Sequence, residues 1–328
     1  MKPYKMKPSF LILFAFFYIN NSFAQYSDWN ALDRVIDNSN FEDPLETNTN
    51  RKKILLITES SLYLTTLAGL NSLWYKDYPV SRFHSIDDNE EWLQMDKAGH
   101  MTASYYMGVA GIKAYDWAGF NRKEAIWYGG LSGSIFLSIV ELLDGFSEQW
   151  GASSGDLVAN TIGSALCISQ ALLWDEQKIQ LKYSYLPTRW AEENSSQLGK
   201  NHLERALKDY NGQTYWLSFN LKSLLEIDND KFPNWLSLSL GYGAHFMKNP
   251  YPEELKSRPL WSPSPHYQGR VRQYYLSFDI DLNRIKSKSK FVNSVLHTFG
   301  FVKFPMPRLE FIGNDVIFHP GFYIPVIK

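Results

Sequence analysis

The residue types best suited to chemistry lie between residues 96 and 163. In the first part of that stretch, Asp96 and Lys97 are followed by His100 and, four residues later, by Ser104. Residues four apart share one face of an α-helix. A histidine that faces carboxylates is a common general acid or base. This face therefore predicts a site for proton transfer.

Two later apolar segments carry polar stripes of the same kind. Glu141 follows small residues at helical spacing, and Asp156 and Asn160 are four residues apart. Ionisable groups in apolar surroundings must face the interior and find partners there. We therefore predict that the stripes converge. The predicted cluster consists of His100, Glu141, Asp156 and Asn160, with Asp96 or Lys97 nearby.

The loop between these two segments adds further candidates. It contains three glycines, and its aromatic residues could anchor it to a bundle or to a lipid surface. The catalytic candidates are His100, Glu141 and Asp156. The binding candidates are Asp96, Lys97, Ser104, Asp144, Glu148, Trp150, Ser153 and Asn160.

A metal site is the weaker interpretation of the same residues. His100, Asp144, Glu148 and Asp156 carry donor types that zinc or a hard cation takes. The sequence lacks a paired-histidine motif such as HExxH. We therefore predict no metal and no cofactor.

A purely structural role is equally compatible with the pattern. Asp156 precedes an apolar run, as a helix cap does, and Asp96 stands similarly before its own segment. Glu141 could pair with Lys97 as a buried tie. Two functions stay open: a buried cluster that organises a bundle, and an acid/base or metal-assisted enzyme acting on a lipid or cell-wall precursor. Whether the chain is an enzyme is not decided by these residues.

The elements that must position these groups divide the chain into two parts. Four apolar segments of about 20 residues, each long enough to span a bilayer, predict a four-helix bundle over residues 51–175 that is a candidate for membrane embedding. Their bounds are Ile54–Tyr75, Lys97–Ala118, Glu124–Leu143 and Asp156–Trp174. Tryptophans lie at or near the ends of these segments, a position typical of the membrane–water boundary. They are Trp74, Trp92, Trp117, Trp127, Trp150 and Trp174.

Residues 176–328 alternate between apolar and polar side chains, which predicts antiparallel strands. The clearest stretches begin at Ile179, Tyr215, Leu236 and Tyr274, and weaker ones lie at 308–312 and 316–319. A short amphipathic helix is predicted at 291–301, and a proline-rich loop at 249–265. The fold class is α+β: the four-helix bundle followed by an antiparallel β-sheet or a small partial barrel. Because single-chain barrels need about eight strands, a curved sheet and a closed barrel both stay open.

The first 24 residues resemble a secretory signal peptide. A basic start and a short apolar stretch over 10–19 precede Ser22-Phe23-Ala24, a small-x-small cleavage site. Residues 25–50 are polar and predict a linker. Export without a disulfide, since Cys167 is the one cysteine, favours a bacterial envelope.

The charge balance restricts the classes of partner that the chain is expected to bind. The formal net charge is −1, which disfavours nucleic acid as a partner. We predict a lipid membrane and other envelope proteins as partners. The predicted location is the envelope of a Gram-negative bacterium, membrane-associated and facing the periplasm, with the outer membrane favoured slightly over the inner.

One combination of residues resembles a known family. The matching residues are Asp96-Lys97-x-x-His100, Glu141, Asp144-Gly145, Trp150-Gly151-x-Ser153 and Asp156-x-x-x-Asn160-x-x-Gly163. They are similar to the YfiM-like predicted periplasmic lipoproteins, and more loosely to VanZ-like membrane proteins. The resemblance implies an envelope protein but no particular reaction. The chain departs from the lipoproteins because no cysteine stands near the end of the apolar stretch at 10–19.

Overall fold

The computed structural model describes residues 49–76, 78–251 and 269–321. The predicted signal peptide over 1–24 lies outside the described residues, as does nearly all of the predicted linker over 25–50. Most of the predicted proline-rich loop is also outside them.

The described residues form two compact units. The sheet unit contains residues 87–102 and the part of the chain after residue 176. The helical unit contains the residues before 87 and residues 103–176. The division falls inside one long helix, whose first two turns belong to the sheet unit.

Four long helices occur where apolar segments predict them. They are α1 (Thr49–Leu70), α2 (Met95–Trp117), α3 (Arg122–Asp144) and α4 (Ser154–Trp174). Helix α3 begins with a capping box, in which the Asn121 side chain accepts from the Glu124 amide and the Glu124 side chain accepts from the Asn121 amide. This reciprocal pair satisfies two amides that the first turn leaves without a helical partner.

Glycines bring the helices of this unit into close contact. A Cβ atom at Gly111 on α2 would lie 2.2 Å from the Gly129 carbonyl oxygen on α3. A Cβ atom at Gly133 would lie 2.4 Å from the Ser104 carbonyl oxygen, so α2 and α3 run antiparallel. Only residues without a side chain allow backbones to approach this closely.

The sheet unit contains one antiparallel meander of six strands in sequence order. The strands are β3 (Ile179–Tyr185), β4 (Gln213–Asn220), β5 (Leu236–His245), β6 (Val271–Ile280), β7 (Arg308–Ile312) and β8 (Asp315–His319). Two further short strands, β1 (Ser85–Ile86) and β2 (Ala152–Ser153), pair in parallel in the helical unit. The predicted antiparallel sheet and its number of strands are therefore confirmed.

The prediction of four helices is wrong in number, because the described residues contain nine. The others are α5 (Arg189–Glu193), α6 (Ser195–Leu198), α7 (His202–Lys208), α8 (Leu221–Leu224) and α9 (Lys290–Thr298). Helix α9 corresponds to the predicted short helix. The other four have seven residues or fewer, too few to repeat a hydrophobic period.

The sheet is curved, with its polar side inside. Lys182 on β3 and Asp279 on β6 are separated by two strands, which is about 14 Å in a flat sheet. Their side chains nevertheless form an ion pair of 2.8 Å, so the sheet curls around them. The side chains on this buried face include Gln180, Lys182, Ser218, Ser237, Ser239, Ser277, Asp279 and Glu310.

The opposite face of the sheet is apolar and open to the exterior from β5 to β8. Leu240, Tyr274, Phe278 and Phe318 are 50%, 52%, 49% and 63% exposed. The strand register aligns them in rows: Tyr242 pairs with Tyr274, and the next row continues from Leu240 to Leu276 and Leu309. Apolar and polar side chains therefore alternate along these strands as predicted, but from β5 to β8 the polar side chains are the buried ones.

Candidate functional site

Two of the predicted carboxylates meet at the start of α4. The Ser153 amide donates to Glu141 Oε2 at 3.0 Å, and the Asp156 amide donates to Ser153 Oγ at 3.1 Å. Ser153 is thus the helix cap, and Asp156 lies in the first turn. A carboxylate in the first turn is stabilised by the helix dipole. All three residues are fully or almost fully buried.

The second contact of the predicted cluster joins α2 to α4. Ser104 Oγ donates to the Asn160 carbonyl oxygen at 2.6 Å and lies 3.0 Å from Ser164 Oγ. One turn further along α2, a Cβ atom at Gly108 would lie 3.3 Å from Cys167 Sγ. Contacts therefore advance in the same direction on both helices, and α2 and α4 run parallel.

Tyr75 contacts the loop before α4 at two residues. The Tyr75 hydroxyl donates to Asp144 Oδ1 at 2.6 Å, and the Tyr75 ring meets the Trp150 ring edge-on at 5.6 Å between centroids. Asp144 and Trp150 are buried. Glu148 is exposed, so the structure does not bring its side chain into the buried set.

The sheet unit holds the remaining candidates, at the start of α2. Lys97 Nζ lies 2.7 Å from Asp88 Oδ1 and 3.7 Å from Asp96 Oδ2. The Tyr210 hydroxyl donates to Asp96 Oδ1 at 2.8 Å. This arrangement ties α2 to the residues before β4, with the charge of Lys97 balanced by buried carboxylates.

A left-handed turn directs the chain into α2. Trp92, Leu93 and Gln94 have φ values of 48°, 52° and 63°. Such angles cost about 1–2 kcal/mol for each residue other than glycine. The turn is held by contacts within the unit: the Trp92 amide donates to the Pro250 carbonyl, and the Trp92 ring packs 5.2 Å from the Tyr210 ring.

Asp96 and His100 combine the donor types that a transition metal takes. They are one turn apart on α2, both are buried, and one ligand atom from each lies within 4.8 Å of the other. Structural zinc sites take about four protein ligands and catalytic ones about three. The pair by itself is therefore insufficient for a metal centre.

Sequence reasoning missed several partners of these residues. Tyr75, Asp88 and Tyr210 bond to predicted residues but lie outside the polar stripes. Each is distant in sequence or in a loop, where no helical spacing marks it.

Sequence reasoning also missed the buried ions of the sheet, where Asp279 lies 2.8 Å from Lys182 and 3.6 Å from Lys303. Burial lowers the pKa of Lys303 to about 8, against the opposing effect of Asp279.

Residues 86–171 match the family described as "Predicted periplasmic lipoprotein (DUF2279)". The match confirms the predicted resemblance to that family, and its range includes both the Asp96–His100 pair and the Glu141–Ser153–Asp156 contacts. The similarity to VanZ-like proteins stays a prediction. No curated protein and no solved structure matched the chain.

The match supports an exported protein of the cell envelope that faces the periplasm. The family description names no reaction. Any activity must therefore be argued from the side chains themselves.

Proposed function

We propose that this chain is a membrane-associated protein of the cell envelope whose helical bundle is organised by a buried polar cluster. The observation that carries the proposal is the exposed apolar face of the sheet from β5 to β8, opposite a buried polar face. The helical unit has an apolar core, buries several ionic and hydroxyl side chains beside it, and leaves further large apolar side chains exposed. Contiguous exposed apolar surfaces mark sites of contact with a membrane or another protein.

The helical unit supports this proposal on its outer surface. Among the described residues, α3 and α4 are long and apolar enough to cross a membrane, and half or less of each apolar stretch is buried. Trp127 near the start of α3 and Trp174 at the end of α4 are both exposed. These two helix ends lie on the same side of the helical unit, beside the end of α2. Aromatic side chains at such positions favour the boundary between lipid and water.

The sheet favours the outer membrane over the inner. Strands β5 and β6 have ten residues each, the length of a membrane-spanning strand. A tyrosine row beside a leucine row on the exterior, with polar residues inside, is the pattern of outer-membrane strands. This supports the outer membrane as the location and lipid as the partner.

Separation of inner and outer membranes on a density gradient, followed by a carbonate wash, tests the proposal. We expect wash-resistant protein in the outer-membrane fraction. The double variant Leu240→Lys/Phe278→Lys places two charges on the exposed face, and we expect it to be released by the wash. Each lysine costs about 2–4 kcal/mol at the bilayer midplane.

The matched control is Leu225→Lys. Leu225 is 67% exposed but lies outside the strands, so this variant should stay with the membrane. Parent protein recovered in the soluble periplasmic fraction would contradict the membrane association. Equal retention of the double variant and the parent would contradict insertion through the sheet.

A second candidate function is an envelope enzyme acting on a lipid or cell-wall precursor. The Ser104–Asn160 contact supports it, because it brings buried polar groups of α2 and α4 together within the helical unit. In this proposal His100 and Asp156 or Glu141 form the acid/base pair.

Three substitutions separate the two functions: His100→Gln, Glu141→Gln and Asp156→Asn. If the cluster organises the bundle, each lowers the abundance and the unfolding temperature of the protein. If it is an active site, folding by circular dichroism is unchanged while the cellular phenotype of a deletion strain is not restored. Ser138→Ala, a half-buried change on α3, serves as the control for both readouts.

A further inference from the structure

A cavity of about 300 Å³ lies in the helical unit, and none of its lining residues belongs to the predicted cluster. It is formed by α1, the end of α2 and the first half of α3. The lining residues are Glu59, Ser60, Tyr63, Tyr115, Tyr128, Leu131, Ser132 and Ile135. One carboxylate and three aromatic rings in one cavity are an unusual combination on an apolar surface.

The carboxylate of Glu59 is fixed in this cavity by two phenols. The Tyr115 hydroxyl donates to Glu59 Oε2 at 3.0 Å. The Tyr63 hydroxyl lies 3.1 Å from Glu59 Oε1 and 3.1 Å from the Ser132 carbonyl oxygen, and its single hydrogen is donated to one of them at a time. Each carboxylate oxygen thus has one phenol within hydrogen-bonding distance and keeps capacity for another donor.

The negative charge of the cavity resides on Glu59. Burial, together with the neighbouring Glu59 carboxylate, raises the pKa of Tyr63 and of Tyr115 well above its ordinary value. Both phenols therefore stay protonated and serve as donors. The cavity carries a single fixed anion among aromatic faces.

We propose that this cavity binds an organic ammonium group, with Glu59 as the counter-ion and the tyrosine rings as the walls. Aromatic rings attract ammonium cations through their electron-rich faces, and cages of this kind recognise alkylated amines. Tyr115 and Tyr128 both line the cavity, and their rings pack against each other with 6.1 Å between centroids. The half-exposed Ile135 at the rim favours a ligand that carries an apolar chain.

Calorimetric titration of the full chain in uncharged detergent tests the proposal, with tetramethylammonium and ethanolamine as soluble probes. We expect saturable binding, with an affinity that Glu59→Gln lowers about tenfold or more. The substitution removes the carboxylate that pairs with the cation once the cation has lost its water. Tyr128 is 54% exposed, so its variants should fold. Tyr128→Phe should retain binding and Tyr128→Leu should weaken it, since only the latter removes the ring.

Glu192→Gln is the control, because this carboxylate is 69% exposed and lies in the sheet unit. Binding of the soluble probes identifies a free amine as a sufficient ligand. Binding only to vesicles with phosphatidylethanolamine, and not to vesicles with phosphatidylglycerol, identifies a lipid headgroup as the source. Equal binding by Glu59→Gln and the parent, or no binding in either arm, overturns the proposal. The result is independent of membrane association, which the carbonate wash measures separately.

Discussion

At the scale of single residues, the most consequential feature is a buried set of ions in the sheet unit. Lys182 and Asp279 have fully buried side chains, and Lys303 is 4% exposed at the same carboxylate. Ser218 Oγ also donates to Asp279, at 2.9 Å. A single carboxylate thus holds two lysines, and its loss would leave both charges without their ion partner.

We predict that Asp279→Ala lowers the free energy of unfolding by about 3–5 kcal/mol, because removing one member of a buried pair strands the other charge. Urea unfolding measures the change. The exposed pair of Lys248 and Glu193, whose side chains are 51% and 42% exposed, provides the control. Glu193→Ala should cost less than about 1 kcal/mol. Similar losses of unfolding free energy in the two variants would contradict the claim that burial makes the Asp279 ion pairs more stabilising than the exposed pair.

At the scale of elements, the approach of α2 to α3 depends on glycine. A Cβ atom at Gly111 would lie 2.2 Å from a backbone oxygen, which cannot move aside as a side chain can. We predict that Gly111→Ala lowers the free energy of unfolding by about 1–3 kcal/mol. In Gly69→Ala the new Cβ atom meets nothing within 4 Å, so stability should be unchanged or rise by about 0.5–1 kcal/mol. Thermal unfolding of both variants separates the close contact from helix propensity.

The positions of the elements were predictable because each repeats its own period. The alternation from Leu236 to Tyr242 predicts β5, and the 20-residue apolar runs predict α1 to α4. The short helices α5 to α8 were not predictable, since fewer than about two turns show no helical repeat. Period two also leaves open which set of side chains is buried, and here the polar set is buried.

The candidate site was predictable only in part, for the same reason. Helical spacing identifies Ser104, Asn160 and Glu141 as members of inward faces. It does not identify Tyr75 as the partner of Asp144, because these residues are 69 positions apart. Contacts of that kind depend on the packing of whole helices, which no local pattern records.

At the scale of the whole molecule, both units bury polar side chains and expose large apolar ones, although the helical unit also has an apolar core. The helical unit buries Ser104, Glu141 and Asp156, while the sheet unit buries Lys182 and Asp279. Exposed leucine, isoleucine, phenylalanine and tryptophan side chains occur in both units. Buried polar groups together with an exposed apolar surface depart from the usual pattern of a protein that folds in water. The central claim is therefore that lipid covers the exposed face of the sheet.

Spin labels placed one at a time along β5, at Leu238, Ser239 and Leu240, test this claim most directly. The buried Cys167 is first replaced by alanine, so that each label is unique. In protein reconstituted into vesicles, we predict that labels at Leu238 and Leu240 collide with oxygen, which concentrates in hydrocarbon, and that the label at Ser239 is shielded. Labels at Leu238 and Leu240 that collide instead with a water-soluble nickel chelate would contradict the claim.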